Sequence, residues 1–154
     1  MRGVNVLMNE KRNDDIYYVC TMIEYVARVT KNHRKDIVAR ISKKDMEHEL
    51  KVAEVNHCLS FEQVSDEWIE HYGIVEGNFD TVTTCKYNVP SVTSIGRVYQ
   101  QLVLATTEED EEAQAIKDVF ASFISDEISY FNSNVYYSNP DYLLCSYQEG
   151  ALLA

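Results

Sequence analysis

Glycine and proline are both scarce in this sequence, five and two residues among 154. Sandwiches and barrels need many tight turns built on those two residues, so an all-β architecture is excluded first. No apolar run approaches the roughly 18 residues needed to cross a bilayer, which argues against a membrane partner. The opening, Met1 to Asp15, has a basic second residue but only a short apolar stretch followed by charges, which is not the pattern of a signal peptide. The four cysteines, Cys20, Cys58, Cys85 and Cys145, lie far apart with no C-x-x-C pair. Reduced thiols in a cytoplasmic setting are expected rather than a disulfide framework. Catalytic signatures are missing as well: there is no G-x-S-x-G, no G-x-x-x-x-G-K-[ST], no G-x-G-x-x-G and no H-E-x-x-H. No cofactor is called for. Bases are few, 14 Lys and Arg against 25 Asp and Glu, and a net charge of −11 argues against generic nucleic-acid binding, which needs a net basic face.

What is present is an ordinary globular composition, 45% hydrophobic and 25% charged, at a length that suits one hydrophobic core. Eleven tyrosines are many for such a chain, and phenols serve contact surfaces as readily as cores. The charge is also uneven. Residues 1–51 hold 11 of the Lys and Arg and 8 of the Asp and Glu, whereas residues 52–154 hold 3 and 17. The first half is therefore +3 and the second −14.

Hydrophobic spacing predicts helices almost throughout. Ile16, Val19, Cys20, Ile23, Val26 and Ala27 form one stripe of a helix over 14–31, with Asn13 or Asp14 at its start. A short helix follows with Ile37, Val38 and Ile41 inward and Arg34, Lys35 and Arg40 outward. Ser42 is placed to cap a third, striped by Met46, Leu50 and Ala53 with Glu47 and Glu54 facing water. Ser60 and Gln63 have the spacing of a capping box, opening a helix that carries Phe61, Val64, Trp68, Ile69 and Tyr72 and stops at Gly73. Residues 74–90 lose helical periodicity and read as a long connection with a short extended piece. Pro90 and Ser91 start the next helix, in which Gly96 is a local cost of about 1 kcal/mol against alanine. Thr107 and the acids Glu108 to Glu112 predict the start of a long helix reaching Phe131, expected to be the central packing element. Asn139 and Pro140 open a last helix ending at Gly150. The expectation is an all-α, single bundle-like domain spanning 1–154, of about seven helices with a core over about 13–150 and an irregular segment at 74–90.

Three constellations carry functional readings. The basic run Arg28, Lys31, His33, Arg34, Lys35, Arg40, Lys43 and Lys44 suggests phosphate contacts from a helix-turn-helix, although the following helix carries Asp45, Glu47, Glu49 and Glu54. The alternative is a solvated face, or a basic patch that meets an acidic one. The tail holds Tyr130, Tyr136, Tyr137, Tyr142 and Tyr147 interleaved with Asn132, Asn134 and Asn139, a composition suited to an interface or to a segment wrapped over the core. His57, Glu67 and His71, with Glu67 and His71 one turn apart, are a loose match to a metal or enzymatic site. The acids at 108–112 read most simply as helix-start electrostatics.

The segments Y-Y-V-C-T-M-I-E-Y-V-A-R-V-T-K-N-H-R and V-N-H-C-L-S-F-E-Q-V-S-D-E-W-I-E-H-Y-G-I, within residues 16–74, resemble a group of uncharacterised small bacterial proteins related to a short helical domain of unknown function. The resemblance implies a helical fold, a cytoplasmic bacterial setting and a regulatory or accessory role. It transfers no catalytic residue. The leading expectation is a non-enzymatic protein-interaction domain, self-associating or binding a protein partner, with Arg34, Lys35, Arg40, Lys43, Tyr130, Tyr136, Tyr137 and Tyr142 as its surface. A nucleic-acid-associated regulator using residues 28–44 is the second reading, and a metal or enzymatic site at His57, Glu67 and His71 the third.

Overall fold

The computed structural model describes residues 2–154, with side chains from residue 8 onward. The side chains of residues 1–7, part of the stretch on which the signal-peptide reading rests, lie outside it. Among the described residues eight α-helices follow one another: α1 (Arg2–Thr30), α2 (Arg34–Ala39), α3 (Lys43–Asn56), α4 (Phe61–His71), α5 (Val92–Thr106), α6 (Glu112–Ala121), α7 (Ile124–Ser129) and α8 (Pro140–Glu149). A single 3-10 turn, Val135–Tyr137, precedes α8. No strand forms among the described residues, and the all-α expectation is met.

The centre of the molecule is α1, not the helix after Thr107. Its predicted stripe is fully buried, and Tyr18, Thr21, Met22, Glu24 and Thr30 are buried too, so α1 from Ile16 onward is enclosed on nearly all sides by α2, α3, α4, α5 and α6. A helix covered all round belongs in the middle of a core. The helix also starts well before Asn13, because the strong helix formers Glu10, Lys11 and Arg12 extend it and Lys11 pairs with Asp15 one turn on at 2.8 Å. It ends where Lys31 turns left-handed, φ 56°.

The stretch from Thr107 divides. Glu108 to Glu111 form a turn with Asp110 left-handed (φ 62°), and helix begins only at Glu112. Five adjacent carboxylates repel one another along a helix turn, which weighs against the earlier start. At Ser122 the backbone becomes extended, ψ 169°, while its hydroxyl donates to Val119 O at 2.7 Å and accepts from Ile124 N at 3.3 Å. A serine bonding to nearby backbone competes with the helical ladder, and α6 and α7 separate there.

Local punctuation elsewhere holds. The Ser42 and Ser91 hydroxyls accept from the amides of Asp45 and Ser94. Ser60 and Gln63 form the reciprocal capping box. Asn139 caps α8 with Pro140 in its first turn, and Gly73 and Gly150 take positive φ. Segment 74–90 contains no strand. It is pinned to the end of α1 instead, with Gly77 N donating to Thr30 O and Phe79 N to Lys31 O, both at 2.8 Å. These bonds satisfy carbonyls that the helix terminus leaves free.

Candidate functional site

The basic run does not form one surface. Arg34, expected to face outward, is 1% exposed and points inward. Its Nε donates to Glu24 Oε1 at 2.8 Å and its Nη2 to Glu24 Oε2 at 2.6 Å, a bidentate fork, while Arg28 Nε donates to Glu24 Oε2 at 2.7 Å. Both guanidiniums lie over the Phe131 ring, at 4.9 Å for Arg28 and 6.0 Å for Arg34. Burial works against the Glu24 charge, yet the two arginines outweigh it and hold the carboxyl below the usual carboxylate range. Lys35 and His33 both approach Asp126 on α7, at 3.7 and 2.8 Å, and the His33 ring stacks on Phe79 with centroids 3.7 Å apart. Lys43 Nζ donates to Glu111 at 3.1 Å. Arg40 and Lys44 stay exposed. The run is thus divided among a buried cluster, pairs with the acidic second half and exposed bases.

The tyrosine-rich tail divides too. Tyr142 is half-buried and donates to Leu153 O at 2.9 Å, holding the chain end, and Tyr147 is half-buried. Tyr136 packs edge-on against Phe131. Tyr130 and Tyr137 are 56% and 85% exposed, and Tyr87 of the irregular segment is 69% exposed. The two stretches are tied together: Lys86 N donates to Asn132 Oδ1 at 2.7 Å and Asn132 Nδ2 to Thr84 O at 3.2 Å. Tyr87 and Tyr136 wall a depression of about 230 Å³ between them. Tyr87 escaped sequence reasoning because nothing local signals that residues 84–87 dock on residues 131–136.

The third constellation is only partly assembled. Glu67 and His71 line a cleft of about 570 Å³ between α3 and α4, but His57 lies elsewhere, its ring 5.5 Å from Tyr18 in a second cleft. That second cleft, about 670 Å³, already places Arg97 over the Tyr17 ring at 4.0 Å. Among the described residues no three His, Cys, Asp or Glu side chains gather closely enough to hold a metal ion.

What the α3–α4 cleft holds in place of a metal triad is Glu49, a carboxylate 7% exposed. Trp68 Nε1 donates to its Oε1 at 3.2 Å, and the Tyr72 hydroxyl donates to its Oε2. Burial, the bond to Glu49 and the Glu49 charge together push the Tyr72 phenol far up, so it remains a protonated donor. Tyr18, which lines the second cleft, is pushed up to about 12 by burial and by the charges of Glu49 and Glu67. Glu49 shares the face of Met46, Leu50 and Ala53, so an acid on an apolar stripe was the available signal, as it was for Glu24 between Cys20 and Ala27. No family model, curated protein or solved structure matches the chain.

Proposed function

We propose that this chain is a non-enzymatic protein-interaction domain with a regulatory or accessory role, and that it docks a basic protein partner on the face of Tyr87, Tyr130 and Tyr137. The observation that carries the reading is the presence of three exposed phenols on a frame fixed by the Asn132 hydrogen bonds. Tyrosine gives large amphipathic contact area at small entropic cost, and a preorganised frame lowers the cost of binding further. The half of the sequence that carries these tyrosines has 17 acids against 3 bases, which favours a basic partner over a second copy docking through the same half. The bacterial, cytoplasmic setting implied by the resemblance belongs to the same proposal.

The nucleic-acid reading is supported by exposed Arg40 and Lys44, but Arg34 is occupied by Glu24, and Lys35 and Lys43 face Asp126 and Glu111. A photo-crosslinking residue placed at Tyr137 in the source cells, with exposed Glu47 on α3 as control, tests the proposal. The expected result is a discrete adduct to a basic protein from position 137 only, weakened by Tyr87→Ser with Tyr130→Ser. Equal adducts from both positions, no adduct, or an adduct to a second copy of this chain contradicts it.

A further inference from the structure

Two glutamates are buried in this fold, and they are treated differently. Glu24 is enclosed with two guanidiniums. Glu49 is 7% exposed and receives only neutral donors, Trp68 Nε1 and the Tyr72 hydroxyl, with no ion pair to it among the described residues. A carboxylate removed from water without a counter-charge is costly, and the most direct relief is a cation brought to it. The cleft that Glu49 floors contains no Lys or Arg; His48 and His71 line it without bonding Glu49, while Glu67 and Glu70 at its rim add two further negative charges. Val52 and Val55, the latter 70% exposed, give it an apolar wall.

We propose that the α3–α4 cleft is a binding site for an alkylguanidinium group, the head of an arginine side chain or of a free alkylguanidine. Each Glu49 oxygen accepts one bond from the protein, and a carboxylate oxygen can accept two, so one position remains free on each. A planar guanidinium fork addresses both oxygens together, as Arg34 does on Glu24, whereas an ammonium is a point charge without that fork. Trp68 and Tyr72, 2% and 8% exposed, line the same space and hold the two Glu49 oxygens in place for a weakly hydrated planar cation. The alkyl stem lies along Val52 and Val55. This inference stands on the cleft alone and does not depend on the tyrosine face.

Trp68 is the only tryptophan in the sequence and donates directly to Glu49, so its fluorescence reports on the site without a label. The full chain is titrated at low salt with butylguanidinium, butylammonium and N-acetyl-arginine amide. Saturable change with butylguanidinium, weaker with butylammonium, is expected. Tighter binding of the blocked arginine than of butylguanidinium identifies a peptide as the source of the group, and the reverse order identifies a small guanidine; both support the site. Glu49→Gln is expected to weaken binding by at least about tenfold, the loss of a charge-assisted hydrogen bond. Exposed Glu67→Gln with Glu70→Gln, which leaves the core untouched, is expected to weaken it by about threefold and decides the matter where Glu49→Gln does not fold. No response to butylguanidinium, equal or tighter binding of butylammonium, or unchanged affinity in the rim variant overturns the proposal. A Trp68 response to zinc or calcium chloride with none to butylguanidinium overturns it as well.

Discussion

At the scale of single residues, the side chains that matter most in this core are charged. Glu24 and Arg34 are both fully buried, and the fork between them replaces hydration that neither keeps. Removing Arg34 takes away the fork and leaves Glu24 only its single bond from Arg28, so Arg34→Ala is expected to destabilise the fold by about 1.5–3 kcal/mol in urea or thermal denaturation. Replacing the pair together in an Arg28→Met background, Glu24→Leu with Arg34→Met, is expected to cost clearly less, since no lone charge remains. A double replacement as damaging as the single one would show that the pair is not acting as a unit. The pH dependence follows from the same geometry. The Glu24 carboxyl is held below its ordinary value in the folded chain, so the unfolded chain takes up its proton first as pH falls. The contribution is complete above about pH 4.3, the ordinary glutamate value, and is lost as pH falls from there through the lowered folded value. Urea denaturation in steps from about pH 6 to 3 is expected to show this acid loss in the native chain and a shallower one in the double replacement.

At the scale of elements, α5 crosses α1 closely at Gly96. A Cβ built on Gly96 would overlap Thr21 Oγ1 and lie 3.0 Å from Thr21 Cβ and 3.1 Å from its Cα. Propensity alone gives Gly96→Ala a gain of about 1 kcal/mol, but overpacking a rigid helix crossing costs about 1–3 kcal/mol, and part of the clash is with backbone. Gly96→Ala is therefore expected to lower the melting temperature, with partial recovery on adding Thr21→Ala. A rise in melting temperature would show that the helices separate freely. The glycine that reads locally as a weakness is the residue that lets two central helices meet. The same division runs through the fold. Caps at Ser42, Ser60 and Gln63, Ser91 and Asn139, and stops at Gly73 and Gly150, were legible because their chemistry is complete within a few residues. The break at Ser122 was not, because the apolar stripe from Ala113 to Phe131 continues across it while the backbone does not. Glu24, Arg34 and Glu49 were misplaced or overlooked for a related reason: whether a charge is buried depends on what another helix brings to it.

At the scale of the whole molecule, the uneven charge of the two halves is largely an internal matter. Lys11 faces Glu54 at 3.7 Å, Arg12 faces Glu112 at 2.6 Å, Lys35 faces Asp126 at 3.7 Å and Lys43 faces Glu111 at 3.1 Å, each pair joining the basic half to the acidic one. Lys117 reverses the direction: its ammonium donates to Val38 O near the end of α2, at 2.9 Å, and to Ile41 O just beyond it. Exposed pairs of this kind add at most about 1 kcal/mol each, so they orient the halves more than they stabilise them. They also leave the acidic excess of the second half uncancelled outside the contacts, on the half that carries Tyr87, Tyr130 and Tyr137. Two copies meeting through those tyrosines would bring like charge to like charge with little room for screening, since the Debye length at physiological salt is about 8 Å. The chain alone is therefore expected to sediment as a monomer at physiological salt over a wide concentration range. A basic partner would dissociate more readily as salt rises, because its attraction is screened, whereas a dimer of this chain would strengthen as its repulsion is screened. Sedimentation velocity across a salt series separates the two, and a dimer that tightens with salt and disappears on Tyr130→Ser with Tyr137→Ser would assign the face to self-association instead.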